Sequence, residues 1–184
     1  MKGDRPLNFL ELVQVRYSCR DYRIDPVRRD VIDRCIEAAR LAPSACNAQP
    51  WKFIISDGDP LRKDLAEQAF SGIYSMNTFA KNAPVIIAVL RQSKSYAPKL
   101  GGMFRGTDFS LLDLGMACEH LALQAAEEGL GTCFLGWFHE KNVKKILHLP
   151  LASKVDLLIS LGYPARNTSP AKNRKNVEEI REYR

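Results

Sequence analysis

Four short stretches of the chain carry side chains at spacings that could do chemistry. In RYSCR, residues 16–20, Arg16, Ser18 and Arg20 alternate, so an extended backbone would point all three to one side. Two guanidiniums and a hydroxyl converging on one spot form an oxyanion receptor. On a helix end the same residues would be unrelated solvated charges. In APSACNAQPW, residues 42–51, Ser44, Asn47 and Gln49 supply hydroxyl and amide groups between two prolines. Such groups suit the mixed carbonyl and nitrogen edge of a heteroaromatic ring, and they equally suit a tight turn. EGLGTCFLGW, residues 128–137, contains G-x-G, but these glycines follow a helical pattern and precede a strand-like one. A dinucleotide fingerprint has the opposite order, so a Rossmann fold is excluded. Gly136, inside an expected strand at 132–137, marks either close approach of backbone to a ligand or a bulge. In PAKNRKN, residues 170–176, Lys172 and Arg174 alternate and would either complete a phosphate site or form a basic tail.

The elements that must hold these groups follow from apolar spacing. Residues 8–15 read as a helix ending near Arg16, and Asp25-Pro26 reads as the cap of a second helix with Val31, Ile32, Cys35, Ile36 and Ala39 on one face. Pro43 stops that helix. WKFIIS (51–56), VIIAVL (85–90), TCFLGW (132–137) and VDLLISLG (155–162) read as strands, with helices at 61–70 and 141–148. Residues 91–107 hold four lysines and arginines, three glycines and a proline, the make-up of a functional loop. The longest helix spans Asp108–Glu128, capped by Asp108 and closed by Gly129. Leu111, Leu112, Leu114, Met116, Leu121, Leu123 and four alanines cover most of its circumference. Such a helix is buried on nearly all sides, either as the central helix of one core or against a second subunit. On the second reading, glutamate at Leu114 and Leu121 would split the dimer.

The bulk numbers fit one domain, residues 1–184, with its own core: 46% of residues are hydrophobic and 26% charged. A net charge of +6 favours small anionic partners, but the basic residues are scattered and no aromatic-studded basic strand marks a nucleic-acid surface. The longest apolar run, APVIIAVL at 83–90, is too short to span a bilayer. The five cysteines show no CxxC spacing, and MKGDRPLN has no apolar signal segment. A reducing, cytoplasmic setting without disulfides or a metal site is expected.

Taken in order, the motifs resemble the nitroreductase family of FMN-dependent oxidoreductases. RYSCRDY is similar to the family's R-x-S-x-[RK]-x-[FY] segment, and APSACNAQPW to its A-P-S-x-x-N-x-Q-P-W loop. LLDLGMACEHLALQAAEEGLGTCFLG is similar to its long dimer helix running into G-L-G-x-C-x-x-G. Lys172 and Arg174 match its C-terminal basic pair. The resemblance implies an α+β fold, with a mostly antiparallel central sheet flanked by helices. It implies an intertwined homodimer whose C-terminal arms cross to the partner as edge strands. It also implies two interfacial FMN sites and NADH or NADPH as electron donor. Arg16, Ser18, Lys172 and Arg174 would hold the FMN phosphate, and Arg20 the N1–O2 edge of the ring. Pro43, Ser44 and Ala45 would pack along the ring from the opposite subunit, with Asn47 bracing their loop. Asn77 would face the pyrimidine edge. Gly136 would give its N–H to flavin N5, with Leu135 beside it. Cys46 and Cys133 would be small packing residues. No side chain is expected to act as an acid or base, because flavin N5 carries the hydride. A guanidinium at N1–O2 would favour the negative charge that builds there on hydride uptake. The implied activity is ping-pong hydride transfer to a nitroaromatic, quinone or similar acceptor. A dehalogenase, an azoline oxidase, a flavin-degrading enzyme or a non-catalytic flavin sensor remain alternatives. The chain is short for the family, and the insert that shapes the acceptor channel in larger members has only the loop at 91–107 as a counterpart, so no substrate-side residues are carried over.

Overall fold

The computed structural model of the protein describes residues 8–92, 106–166 and 169–184. Residues 93–105, most of the expected channel loop, lie outside the described residues. The chain is α+β, with four strands in the order β1-β2-β4-β3: β1 (Trp51–Ser56), β2 (Val85–Arg91), β3 (Gly131–Leu135) and β4 (Lys154–Gly162). Every neighbouring pair is antiparallel, from Ile55↔Ile87 at one edge through Ile87↔Ile159 to Phe134↔Ile159 at the other.

Strand β2 shows why its sequence reads as an unbroken apolar run. Val85, Ile87 and Val89 enter one core, and Ile86, Ala88 and Leu90 enter the other. Both sheet faces are covered, so the period of two has no polar phase. The first core is closed by α2 (Arg29–Arg40) and α4 (Phe109–Glu127), which contribute Ile32, Cys35 and Ala39, and Leu114, Cys118 and Leu121. The second is closed by α3 (Leu61–Ala69), α5 (Glu140–Ile146) and a 3₁₀ segment, Gly72–Asn82.

Helix ends follow local chemistry. In α1 (Phe9–Val15), the Asn8 side chain accepts from the Glu11 N–H at 3.0 Å and Glu11 reaches back to the Asn8 N–H, a capping box. In α4, Asp108 accepts from the Ser110 N–H at 3.1 Å. Gly129, at φ +74, supplies the left-handed turn that ends it.

Three expectations need correction. Asp25-Pro26 does not cap α2, which begins at Arg29; Asp25 instead accepts from Arg23 Nε at 2.6 Å. Strand β3 ends at Leu135, so Gly136 lies beyond it rather than within it. Leu114 and Leu121 are only 5% and 0% exposed and face the chain's own core. The outward face of α4 carries Leu111, Leu112 and Met116 instead, at 47%, 55% and 38% exposure. The tail forms a short helix, α6 (Val177–Ile180), and among the described residues it pairs with no strand.

Candidate functional site

Residues 16–20 are extended because β3 holds them. Ser18 bridges Thr132 in parallel, and the Cys19 N–H donates to the Thr132 carbonyl at 2.9 Å. Cys19 is buried and Tyr17 half-buried, whereas Ser18 and Arg20 are exposed. The alternation read from the sequence therefore places Ser18 and Arg20 on one side, while Arg16 is half-buried at the start of the strip. The tail returns to this segment. Ser169 Oγ donates to the Val15 carbonyl at 2.8 Å, and Lys172 Nζ donates to the carbonyls of Val13, at 2.6 Å, and Arg16. These carbonyls belong to the end of α1, which the helix leaves without partners and where its dipole favours a cation.

Burial, together with the charges of Arg16 and Arg174, holds the Lys172 ammonium below the usual lysine range. Three cations thus share one neighbourhood. Glu119 of α4 opposes them, 3.5 Å from Arg16 Nε. A cavity of about 280 Å³ opens beside Arg16, lined also by Thr132, Ser169 and Arg166. Arg166 was not legible as a site residue, since nothing in the sequence distinguishes it from other surface arginines. The cationic cluster fits an anion such as a phosphate group.

The other end of the strip points elsewhere. The Arg20 guanidinium lies 5.8 Å above the Phe79 ring centroid, a cation–π distance that directs it toward the Gly72–Asn82 segment. Asn77 interrupts that segment at φ −103, ψ 20, and its Nδ2 donates to the Trp137 carbonyl at 2.9 Å. Asn77 is thereby fixed beside Gly136. Among the described residues, nothing apart from its chain neighbours lies within 4 Å of where a Gly136 Cβ would sit, so a flat ligand could approach its backbone. Leu135 points its side chain into the second core, which leaves only its backbone to face a ligand. Trp137 donates its Nε1–H to the Ile73 carbonyl at 3.0 Å and packs on Tyr74, with centroids 5.1 Å apart.

The loop after α2 is a 3₁₀ turn, Ala45–Asn47, with three non-glycine residues at positive φ: Cys46 (52°), Asn47 (52°) and Gln49 (45°). Its polar side chains serve the turn. Ser44 Oγ accepts from the Gln49 N–H at 3.0 Å, and Gln49 Nε2 donates to Asn47 Oδ1 at 2.9 Å. Asn47 braces the loop, as expected. Cys46 is exposed rather than packed, while Cys133 is buried and its thiol pushed up by that burial. Pro43 is exposed and Ser44 and Ala45 are half-buried. The loop hangs from α4, where Asp113 Oδ1 accepts from the Ala45 N–H at 3.0 Å. Asp113 was missed, although an acid inside an otherwise apolar stretch of helix was a usable signal. Ser18 and Gly136, by contrast, adjoin β3 directly, and Asn77 is tied to its end through the Trp137 carbonyl.

Among known proteins, the chain is 27% identical over 182 residues to NADH dehydrogenase of Thermus thermophilus, covering 85% of this chain and 86% of that protein. It is 25% identical over 199 residues to iodotyrosine deiodinase 1 of Rattus norvegicus, covering 96% of this chain and 69% of that one. Its fold matches a crystal structure from Exiguobacterium sibiricum 255-15 in complex with FMN, with a TM-score of 0.80, 21% identity and coverage of 97% and 98%. The model of the nitroreductase family matches residues 13–163, and the chain belongs to that family.

Proposed function

We propose that the protein is an FMN-dependent oxidoreductase that draws electrons from NADH or NADPH and delivers them to a small organic acceptor, such as a nitroaromatic or a quinone. One observation carries the reading. A single extended strip presents a cationic cluster at Arg16 and a further guanidinium at Arg20, four residues away. At about 3.3 Å per residue the two lie roughly 13 Å apart, a separation suited to an elongated ligand with an anionic tail and a planar head. The FMN-bound neighbour and the NADH dehydrogenase relative support the assignment.

Bound FMN would supply hydride acceptance and donation at N5. The chain's own residues bind and orient. Arg16, Ser18, Lys172 and Arg174 grip the phosphate by charge-assisted bonds. Arg20 faces the edge where negative charge accumulates. Asn77 and the Gly136 N–H fix the ring's position, and Pro43, Ser44 and Ala45 of the opposite subunit cover it. No side chain is assigned proton transfer.

The same reading includes a homodimer. Exposed Leu111, Leu112 and Met116 on α4, with Phe9 and Leu10 on α1, form an apolar surface suited to a second copy. The exposed Val177, Ile180 and Tyr183 of the tail suit an arm lying on that copy. All five cysteines are free; the setting proposed is the reducing cytoplasm. Among the described residues no helix is long and apolar enough to cross a membrane.

The test is anaerobic stopped-flow reduction of the purified protein by each nucleotide, followed by reoxidation with an acceptor panel. Bleaching of bound flavin by NADH or NADPH and reoxidation by a nitroaromatic or quinone are expected. Colourless protein that refuses added FMN would sink the proposal. The deiodinase relative favours a second reading, reductive dehalogenation, so halogenated phenols belong in the panel.

A further inference from the structure

We infer that Asp113 is a positioning residue for this site: its buried carboxyl anchors the ring-covering loop, residues 42–49, to helix α4. The inference rests on the FMN reading above and extends it to a residue that touches no cofactor. The other buried residues of α4 are Leu114, Ala117, Cys118, Leu121, Ala122 and Ala125, all apolar. Asp113 is 3% exposed among them. Its Oδ1 accepts from the Ala45 N–H at 3.0 Å, while its Oδ2 is buried with no hydrogen-bond partner among the described residues. A half-satisfied buried carboxyl destabilises a fold relative to an apolar side chain of similar size. Stability therefore does not account for its presence.

The loop accounts for it. Cys46, Asn47 and Gln49 all adopt left-handed backbone, which non-glycine residues sustain only when their surroundings over-determine it. The Ser44–Gln49 and Asn47–Gln49 bonds are internal to the loop and move with it. The bond from Ala45 to Asp113 ties the turn to a rigid element. Ala45 lies next to Ser44 and Pro43, the residues assigned to the ring, so this one acceptor sets their height above the helix.

The test compares Asp113→Leu, which keeps the branched outline in a larger side chain and removes the acceptor, with Asp113→Asn, which keeps both the volume and an acceptor oxygen. Leu114→Ala serves as a core control on the same helix. FMN affinity is read by titrating flavin into the deflavinated full-length protein, ring environment by visible circular dichroism of the bound flavin, and stability by melting of the flavin-free form. Asp113→Leu is expected to weaken FMN binding tenfold or more and to alter the visible dichroism, while melting at or above the wild-type temperature. Asp113→Asn should stay within threefold of wild type. Leu114→Ala should melt earlier yet keep the flavin spectrum. Should leucine disturb the packing, Asp113→Ala is read the same way, with its affinity loss required to exceed that of Leu114→Ala. Wild-type affinity and dichroism in the acceptor-free variants overturn the inference and leave the flavin reading intact. A wild-type chain that binds no FMN overturns both.

Discussion

Lys172 makes the sharpest prediction at the scale of the residue. Burial and two neighbouring guanidiniums hold its ammonium below the usual lysine range, and a phosphate beside it would favour the charged form. Binding of FMN should then take up a proton on the alkaline side. The FMN dissociation constant is expected to rise with pH, starting below the ordinary lysine range, by up to about tenfold per pH unit for one proton. Lys172→Arg should flatten that rise, because a guanidinium stays charged. Fluorescence titrations across the alkaline range read both. The stability term has the opposite sign. With the folded pKa depressed, the unfolded chain binds more protons between the two pKa values, so this residue's contribution to stability increases with pH there. At the other end of the strip, on the proposed reading, Arg20→Ala removes a charge-assisted contact to the flavin of about 1.5–3 kcal/mol. It should weaken FMN roughly 10- to 100-fold by the same measure and slow flavin reduction in stopped flow, with the oligomer unchanged. Unaltered affinity and rate would remove Arg20 from the site.

Secondary-structure elements explain why much of the site was legible and some was not. The strip at 16–20 was readable because alternation needs only an extended backbone, and β3 supplies it through Thr132. Strand β1 was readable to the residue, and so was the cap of α4, because Asp108 and Gly129 act locally. Asp25-Pro26 misled because its cap chemistry is equally at home in the turn that precedes α2. Asn77 and Asp113 depend on partners 60 and 68 residues away, and no periodicity reports such contacts: the family resemblance alone pointed to Asn77, and Asp113 was missed. The G-L-G step makes the point in reverse. It invites a nucleotide reading, but Gly129 ends α4, and Gly131 lets β3 pass the RYSCR strip. A Cβ on Gly131 would sit 2.5 Å from Cys19 Cβ and 2.8 Å from its Sγ. Gly131→Ala should therefore lower the melting temperature through about 1–3 kcal/mol of overpacking and displace Ser18 with Cys19. Cys19→Ala should not rescue it, because the nearest atom is the Cβ that alanine retains. Full rescue would show that the sulfur, not the strand approach, is the constraint.

At the scale of the whole molecule, α4 serves two masters at once. Its inner face completes the core through Leu114 and Leu121, and its outer face leaves Leu111, Leu112 and Met116 in water within one chain. The same helix holds the loop at 42–49, the proposed ring cover, through Asp113 and stands 3.5 Å from Arg16 through Glu119. If the loop of one copy covers the flavin held by the strip of the other, loss of the dimer must release the cofactor. Leu111→Glu with Leu112→Glu tests this without touching the core, since each places a charge on a surface that is apolar and exposed in the single chain. The expected product is a folded monomer with native far-UV dichroism and no flavin absorbance, seen by light scattering coupled to size exclusion. Glutamate at Leu114 or Leu121 should behave differently, because an unpaired charge in the core unfolds the chain rather than dissociating it. A flavin-loaded monomer from the outer-face variant would contradict an interfacial site. A flavin-loaded dimer would move the interface to another surface and leave the exposed leucines of α4 without a role.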